Sequence, residues 1–313
     1  MSIEKYIGRF ETLFAIAIAF IVAIFISPVF LSSRNLVNIF MHISIIGIIA
    51  TTMTFVISMG GIDLSVGSVL ALSSICATVL LKNHIPVIAS IVIGLLVGAT
   101  VGGINGILTV FAKLPPFIVT LGTMGIARGA ALIIAGGRSV YGFPSPFLAI
   151  GQSFVGNIIP VPVIIFMSIV LISYFIYFYT PFGKYTVIIG DNEEAAYSVG
   201  IPVKKIKVVN YIISGISAAI GGIIFAARLN AAEPTSGIGY ELDAIAAVVI
   251  GGTHLFGGRG TVLGTFLGIV FVGLIRNILN LLAVSPYFQQ IAIGSVLIGA
   301  VLLDNLRAQR VAD

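Results

Sequence analysis

The feature that most constrains the fold of this chain is a succession of long apolar runs, which begins at residue 12 and continues almost to the end. Hydrophobic residues make up 58% of the 313 residues, charged residues make up only 9%, and the mean hydropathy is +1.18. A water-soluble domain normally carries about 25% charged residues. The chain is therefore predicted to lie in a membrane, with short loops and no large soluble domain.

Ten apolar segments are candidate membrane-spanning helices, each needing roughly 20 residues. They cover residues 12–31, 36–58, 67–81, 86–111, 116–137, 161–180, 208–227, 241–257, 261–282 and 287–303. The first segment lacks the small-x-small cleavage site of a signal peptide, so it is predicted to remain as a helix. The expected fold class is an all-α polytopic membrane protein with about ten transmembrane helices, in which residues 1–313 form a single transmembrane domain.

The distribution of basic residues predicts the orientation of these spans. With the N-terminus inside, ten of the sixteen Lys and Arg residues fall in cytoplasmic loops, four fall on the opposite side and two lie within spans. The ten are Lys5, Arg9, Lys113, Lys184, Lys204, Lys205, Lys207, Arg259, Arg307 and Arg310. The positive-inside rule then places both termini in the cytoplasm. The net charge of +5 reflects this orientation, so no nucleic-acid partner is expected.

Two polar segments interrupt the apolar pattern, and they suggest an internal repeat. Residues 60–67 (GGIDLSVG) lie between the second and third spans, and residues 233–243 (EPTSGIGYELD) lie between the seventh and eighth. If the chain divides into halves of five spans, 1–150 and 151–313, each interruption occupies the same place in its half. An odd number of spans gives the halves opposite orientations, so an inverted repeat with broken helices is predicted.

Asp63 is the most unusual residue of the apolar region, because an ionised carboxylate at mid-bilayer costs about 2.5–3.5 kcal/mol or more. One interpretation is that Asp63 caps a helix that begins at Leu64, with Ser65 helping to satisfy free N–H groups. The other is that Asp63 lines the path or the gate of a solute. Both interpretations can hold, because broken helices usually face a cavity.

A second acidic group opens the eighth predicted span, where Glu241 and Asp243 lie beside Tyr240. Acidic side chains favour the positive end of a helix dipole, which would by itself explain them. Hydrogen-bonding residues in the loop before them suit either a docked protein or a polyhydroxylated solute: Asn230, Glu233, Thr235 and Ser236. Polar residues within spans, which could line a path or hold helices together, are Asn105, Asn277 and Asn280.

Two helical stripes of small residues predict close contact between helices in lipid. The fourth span carries the first stripe at four-residue spacing: Gly94, Gly98, Gly102 and Gly106. The seventh span carries the second: Ser214, Ala218, Gly222 and Ala226. Neither stripe specifies a function.

The polar segment after the sixth span predicts a short helix that needs a partner. Its signals are an N-cap at Asp191 or Asn192, first-turn Glu193 and Glu194, a stop at Gly200 and a block at Pro202. A helix of two turns is not stable alone in water, and its small face buries little area: Ala195, Ala196 and Val199. A partner surface is therefore expected, and the alternative is a connector that packs only on its own bundle.

Several chemical functions are not supported by any motif. The segment around Lys184 lacks the upstream glycine and the hydroxyl residue of a phosphate-binding loop, so no ATP site of that type is expected. The single cysteine, Cys76, provides no disulfide or Cys-based metal or redox motif. The three histidines show no paired metal-ligand spacing, and no Gly-x-Ser-x-Gly elbow occurs. We expect no catalytic residues, no metal and no cofactor in this chain.

Three ordered motifs connect the sequence to a known family. They are residues 60–68 (GGIDLSVGS), the pattern Gly190-x-Asn192-x-x-Ala195-Ala196-x-x-x-Gly200-Ile201, and residues 240–252 (YELDAIAAVVIGG). On these motifs the chain resembles the ribose-type sugar permeases of bacterial ABC importers, from about Asn35 to Asn305. The block from Ala227 to Asp243 looks closest to ribose permeases within that family.

The resemblance implies a permease of the bacterial cytoplasmic (inner) membrane that pairs with a second copy of itself. It would receive a monosaccharide, most readily ribose, from a periplasmic or lipid-anchored binding protein, and a separate cytoplasmic ATPase would bind ATP and Mg. Within a cytoplasmic coupling loop, residues 181–207, the implied contacts with the ATPase are Asp191, Asn192, Glu193, Glu194, Ala195, Ala196 and Gly200. The implied translocation path or gate comprises Asp63, Ser65, Asn105, Tyr240, Glu241 and Asp243.

Other functional classes remain as alternatives. In a secondary transporter driven by protons or sodium, Asp63 and Glu241 would be the ion-coupling carboxylates. An intramembrane enzyme would need a nucleophile and a base, which the sequence does not offer, and a purely structural membrane subunit is the last alternative. The capped helix favours the ATP-driven interpretation, because an ion-driven carrier has no need to dock a motor.

Overall fold

The computed structural model describes the backbone of residues 4–312 and the side chains of residues 12–299, 301 and 302. The side chains of Lys5, Arg9, Arg307 and Arg310, which contribute to the predicted orientation, lie outside the described residues. The described chain is mainly helical. Its helices are α1 (Glu4–Ile26), α2 (Ser33–Ser58), α3 (Val66–Lys82), α4 (Val87–Val110), α5 (Pro116–Ile134), α6 (Ser145–Gln152), α7 (Val161–Tyr179), α8 (Pro181–Asp191), α9 (Glu193–Ser198), α10 (Val203–Leu229), α11 (Tyr240–Ile250), α12 (Val262–Leu281) and α13 (Pro286–Ala312).

Four strands of two residues each form two small antiparallel pairs in the segments between helices. Strand β1 (Val140–Tyr141) pairs with β4 (Ala231–Ala232), and β2 (Phe154–Val155) pairs with β3 (Ile159–Pro160). The first pair joins the segment after α5 to the segment after α10, so it connects the two halves of the chain. The strands are too short to change the all-helical class.

The lengths and apolar composition of the helices support the predicted membrane location. Among the described residues, six helices are long and apolar enough to cross a membrane: α2, α4, α5, α7, α10 and α12. Shorter apolar helical segments are Thr12–Ile26 and Val66–Lys82. The all-helical membrane class is therefore confirmed, and each predicted apolar segment contains a helix.

Two predicted helix ends differ from the structure, and the predicted loop contains a further helix. Segment 241–257 ends as a helix at Ile250, because Gly252 adopts a left-handed φ of +84° and turns the chain. Helix α3 begins at Val66 and not at Leu64. The predicted coupling loop 181–207 contains an additional helix, α8, whose N-cap is the Thr180 side chain, which accepts a hydrogen bond from the Gly183 N–H.

Helices α2 and α10 form the centre of the bundle. In the apolar stretch of α2, 89% of the residues are buried, which is the highest share among the six long apolar helices. Helix α10 packs against α2, α3 and α4. The central position of these two helices explains why small residues recur on α10, since three neighbours must approach its backbone closely.

The two stripes of small residues lie at this centre, as the sequence predicts. A β-carbon added to Gly98 would collide with the Gly215 carbonyl oxygen, and one added to Gly102 would collide with the Tyr211 carbonyl oxygen. On the second stripe, a β-carbon at Gly222 would collide with the Leu70 carbonyl oxygen. The stripes therefore bring the backbones of α3, α4 and α10 into direct contact.

We expect Gly102→Ala to destabilise the protein, because the new methyl group must push α4 away from α10. Overpacking of this kind typically costs about 1–3 kcal/mol. Gly103→Ala is a matched control on the same helix, since its β-carbon would lie 3.7 Å from the nearest atom, a side-chain carbon of Ile212. Thermal unfolding in detergent should show a lower midpoint for Gly102→Ala alone. Equal midpoints for the two variants would contradict the close α4–α10 contact.

Candidate functional site

The Asp63 carboxylate is the centre of a buried hydrogen-bond network before α3. Its side chain is 1% exposed. Oδ1 accepts hydrogen bonds from the Ser65 backbone N–H at 3.0 Å and from the Ser65 hydroxyl at 2.6 Å. Oδ2 accepts a hydrogen bond from the Ser214 hydroxyl at 2.8 Å. Asp63 therefore fixes the turn that starts α3 and also links this turn to α10.

The network continues from Ser65 into α4 and α5. Nδ2 of Asn105 donates to the Ser65 Oγ at 2.9 Å, and the Thr123 hydroxyl donates to the Asn105 Oδ1 at 2.7 Å. The five buried side chains of this Asp63 network are Asp63, Ser65, Asn105, Thr123 and Ser214. The structure thus brings together three predicted site residues and adds Thr123 and Ser214. Asp63 is not the N-cap of α3, which is Ser65; its carboxylate holds the turn before the helix through the Ser65 N–H and hydroxyl.

The predicted acidic pair at the start of α11 divides between two environments. Asp243 is fully buried and forms an ion pair with Arg276 of α12, whose Nη2 donates to Oδ1 at 2.7 Å. Glu241 is partly exposed, and its Oε1 accepts a hydrogen bond from the Gly239 N–H at 3.2 Å. The two carboxylates are therefore not equivalent: one holds α11 on α12, and the other closes the turn that precedes α11.

Tyr240 packs between helices. Its ring lies 6.3 Å from the His42 ring of α2 and 6.3 Å from the Phe225 ring of α10, measured between centroids and edge-to-face in both cases. Offset or edge-to-face rings at this distance attract each other. Tyr240 therefore anchors the start of α11 against the centre of the bundle.

Arg128 of α5 fixes the loop before α11, which the sequence analysis did not predict. Its Nη1 donates to the carbonyl oxygens of Pro234 at 2.6 Å and Ser236 at 2.7 Å. A charged donor inside a span is a signal in itself, because it must find acceptors in the low-dielectric interior. The sequence could not show that these acceptors are backbone carbonyls about one hundred residues away.

The two asparagines of α12 form hydrogen bonds with side chains of other helices. The amides of Asn35 and Asn277 exchange hydrogen bonds in both directions, at 3.2 and 2.8 Å. The Asn280 Oδ1 accepts a hydrogen bond from Gln289 at 2.8 Å. Asn277 therefore holds α12 to α2, and Asn280 holds α12 to α13.

Helix α9 forms with the predicted signals at both ends. The Asn192 side chain accepts a hydrogen bond from the Ala195 N–H at 2.9 Å, so Asn192 is the N-cap, whereas Asp191 is the last residue of α8. Gly200 has a φ of +80°, and the Ile201 N–H donates to the Ala196 carbonyl oxygen at 3.1 Å. Glu193 also pairs with Lys207 at 2.8 Å, which ties α9 to the start of α10.

The two faces of α9 differ in exposure. Ala196 is fully buried against the bundle, so its predicted place on the partner-facing side is wrong. Val199 is 74% exposed and Tyr197 is 46% exposed, and Glu194 and Ala195 are also exposed. The outer surface of α9 is therefore a mixed acidic, aromatic and aliphatic surface on a helix anchored by one small residue.

Backbone contacts at a glycine junction connect the end of α8 to two distant loops. We define this junction as Ser58, Gly190 and Gly258. A β-carbon at Gly190 would collide with the Ser58 carbonyl oxygen and would meet the Gly258 nitrogen at 2.6 Å. The Gly258 N–H donates to the Ser58 carbonyl oxygen at 3.1 Å. The segment before α9 thus touches the end of α2 and the loop between α11 and α12.

Comparison with protein families decides what kind of protein carries this arrangement. The profile of the family described as branched-chain amino acid transport system / permease component matches residues 35–303. The chain belongs to this permease family. The family resemblance expected from the three sequence motifs is confirmed.

Curated relatives of this permease match it over nearly its whole length. The ribose import permease protein RbsC of Haemophilus influenzae is 44% identical over 307 residues, which cover 96% of this chain and 95% of the relative. RbsC of Bacillus subtilis is 43% identical and covers 98% of this chain and 95% of its own length. The D-allose transport system permease protein AlsC of Escherichia coli is 42% identical, covering 95% and 92% respectively. No solved structure matches the chain.

The three family motifs occupy three distinct places in this permease. Residues 60–68 form the turn of the Asp63 network and the first turn of α3. Residues 190–201 include Gly190 of the glycine junction and α9, and residues 240–252 form α11 with its terminal turn. Among the described residues of the permease, no group of three or more His, Cys, Asp or Glu side chains is placed to hold a metal ion.

Proposed function

We propose that this chain is the transmembrane permease subunit of an ABC importer that carries a monosaccharide, most readily ribose, into a bacterial cell. The observation that carries the proposal is the identity of 44% over 96% of the chain with a protein named as a ribose import permease. Relatives named for D-allose and L-arabinose transport extend the substrate class to monosaccharides in general. The ATPase is a separate subunit, and the sugar is delivered by a binding protein.

The exposed surface of α9 supports docking of the ATPase. This surface, which we name the coupling surface, comprises Glu194, Ala195, Tyr197 and Val199. Anchoring through Ala196 and the Glu193–Lys207 ion pair leaves these side chains available to a partner. A two-turn helix with these features fits insertion into a cleft of another protein better than it fits a solvated connector.

Helix packing supports ten spans arranged as an inverted repeat of two halves, 1–150 and 151–313. In the first half α3 contacts α4 and α5, and in the second half α11 contacts α12 and α13. Contacts between the halves show the same correspondence: α3 and α4 both contact α10, and α11 and α12 both contact α2. Under this arrangement both termini are cytoplasmic, with α9 on the cytoplasmic side and the start of α11 on the outer side.

Open glycines on α5 and α13 support pairing with a second copy. A β-carbon added at any of these positions would meet no atom within 4 Å: Gly122, Gly125, Gly129, Gly294 and Gly299. Glycines inside the bundle contact other backbones, so these five mark parts of the outer surface of α5 and α13 that a neighbouring helix can approach closely. In a twofold dimer the same surface would occur on both subunits.

We expect cysteines at Gly129 and Gly294 to form crosslinked dimers in native membranes, because both lie on this open surface. The variants would be made in a Cys76→Ser background, which removes the one native thiol. Leu171→Cys on α7 is the control, since Leu171 is 63% exposed on a helix that contains no glycine. A bifunctional thiol reagent should give a dimer band on a denaturing gel for Gly129→Cys combined with Gly294→Cys. An equal dimer yield for the control would contradict this dimer face.

Reconstitution tests the proposed function directly. The permease, its cognate ATPase and its sugar-binding protein would be assembled in proteoliposomes, and uptake of labelled ribose would be measured with and without ATP inside. We expect ATP-dependent uptake that persists when the proton and sodium gradients are dissipated. If uptake stops when these gradients are removed while ATP is present, the chain is the ion-coupled secondary transporter that is the alternative.

A further inference from the structure

A polar pocket lies between the start of α11, the end of α12 and the start of α13. Its volume is about 240 Å³. The side chains that matter for its chemistry are those of Glu241, Leu242, Asp243, Arg276 and Gln290. Because a water molecule occupies about 30 Å³ in the liquid, the pocket has room for roughly eight waters, or for a small organic solute of similar volume.

The polar groups of the pocket include both hydrogen-bond donors and acceptors. The carboxylate of Glu241 accepts, the guanidinium of Arg276 donates, and the amide of Gln290 does both. Asp243 is fully buried and holds Arg276 in place. The Nε–H of Arg276 is buried and has no hydrogen-bond partner among the described residues. Such convergent groups in a concave site are the usual features of a small-molecule site.

A second pocket, between α1, α2, α7 and α12, provides a contrast. It is lined almost wholly by apolar side chains, among them Phe20, Phe40 and Phe166. A lining of this type suits lipid acyl chains and offers nothing to a hydroxyl group. Of the two pockets, the polar one matches a hydrophilic solute.

We propose that the polar pocket is a transit site, in which the hydroxyl groups of a neutral sugar bind to Glu241, Arg276 and Gln290 during translocation. This inference rests on the proposed function, and it names where that function holds its substrate. A hydroxyl both donates and accepts, so a ring with neighbouring hydroxyls can use the carboxylate, the guanidinium and the amide together. Leu242, which is 41% exposed, offers an apolar contact for the C–H face of the ring.

The charges of the pocket select against anionic solutes. Two carboxylates and one guanidinium line it, so its formal charge is negative. A sugar phosphate or a sugar acid would be repelled, whereas a neutral sugar would not.

Thiol labelling tests this site without requiring transport. Leu242→Cys in the Cys76→Ser background places one thiol in the pocket, and a maleimide would be applied to the permease in detergent with or without ribose. We expect ribose to slow the labelling of Leu242→Cys and ribose 5-phosphate to have little effect. Phe256→Cys is the control, because Phe256 is 73% exposed in the loop between α11 and α12 and lies outside the pocket.

A second substitution tests whether the polar groups of the pocket are needed for ribose to protect the Leu242→Cys thiol. Adding Gln290→Ala should raise the ribose concentration needed for half-protection by severalfold. Ser295→Ala, on an exposed turn of the same helix, should leave this concentration unchanged. Gln290 is exposed, so its removal is not expected to unfold the protein, and size-exclusion chromatography checks this.

The proposal is overturned if ribose does not slow labelling of Leu242→Cys, if it slows both cysteines equally, or if Gln290→Ala leaves protection unchanged. Uptake by the wild-type complex separates this failure from failure of the proposed function. Ribose uptake without protection contradicts the transit site alone. Absence of uptake of every monosaccharide by the wild-type complex contradicts the proposed function itself.

Discussion

Permeases carrying Glu194→Lys or Val199→Asp are expected to fold and insert normally but to lose most ATP-driven uptake. Both residues lie on the coupling surface, and neither contributes to the buried anchor of α9. A reversed charge or a buried carboxylate at the centre of a protein interface can cost 2 kcal/mol or more, so we expect uptake to fall by about tenfold or more. The ATPase activity of the complex should also lose its dependence on sugar and binding protein.

Two control variants distinguish loss of coupling from loss of folding. Ala196→Asp places a charge where the side chain is fully buried, so the folded yield of this variant should fall. Lys113→Glu reverses an exposed charge between α4 and α5, and it should retain uptake. Folded yield by size-exclusion chromatography and uptake in proteoliposomes would be measured for all four variants. Normal uptake by both Glu194→Lys and Val199→Asp would contradict docking through this surface.

Contacts at the glycine junction suggest how movement of α9 reaches the transport helices. Gly190 lies directly against the backbone at Ser58 and Gly258, with no side chain between them. Backbone packing of this kind transmits displacement because the protein interior is close-packed. Movement of the segment before α9 would therefore act on the end of α2 and on the loop before α12, one in each half of the chain.

The sequence predicts α9 well because its signals are local. Asn192, the two glutamates after it and Gly200 act within a few residues of each other, and each takes its predicted place or close to it. Burial of Ala196 could not be predicted in the same way, since it depends on how α9 meets a bundle formed by distant residues. Because α9 is short and has no strongly apolar face, its sequence does not predict which of its sides packs against the bundle.

The sequence also does not predict which polar side chains form contacts when they are far apart in the chain. The bonds between Asp63 and Ser65 follow from their spacing, but Ser214 is 151 residues away in the chain. Arg276 is, with Arg128, one of the two basic residues that the sequence places within spans, and opposite charges in a membrane are expected to pair. Several carboxylates were available, and only the packing of α11 on α12 selects Asp243. The sequence therefore indicated most of the polar residues without indicating which of them are partners.

Helix ends were predicted where a capping residue marks them and were wrong where apolar residues continue into a loop. Leu255 and Phe256 extend the apolar run beyond Ile250, although Gly251 and Gly252 end the helix. Gly252 turns the chain with its left-handed φ of +84°, and Gly251 packs directly against the backbone of Gly264 in α12. Hydropathy does not detect a close approach of this kind.

Asp63→Asn is expected to keep substantial ATP-dependent uptake, whereas Asp63→Leu is expected to lose most of it. In Asp63→Asn the amide oxygen still accepts from the N–H and the hydroxyl of Ser65, and the amide NH₂ donates to the Ser214 oxygen. The Ser214 hydroxyl then turns to a backbone carbonyl one turn earlier, as serine does in helices. The network survives, and only the charge is removed.

Asp63→Leu removes every acceptor that the carboxylate provides. It leaves the Ser65 N–H and the hydroxyls of Ser65 and Ser214 to find other partners in a buried site. A buried polar group without a partner costs about 1–3 kcal/mol, so both the folded yield and the thermal midpoint should fall. Ser214→Ala gives an intermediate step, since it removes one donor and leaves the two bonds to Ser65.

Uptake and thermal stability measured on the same preparations separate the two roles of Asp63. If the carboxylate fixes the turn before α3, uptake follows stability through the series from wild type through Asp63→Asn and Ser214→Ala to Asp63→Leu. If Asp63 couples an ion gradient, Asp63→Asn keeps its stability and loses uptake, because an amide can neither release a proton nor offer a charge to sodium. The geometry predicts the first pattern, since all three hydrogen bonds of the carboxylate come from Ser65 and Ser214.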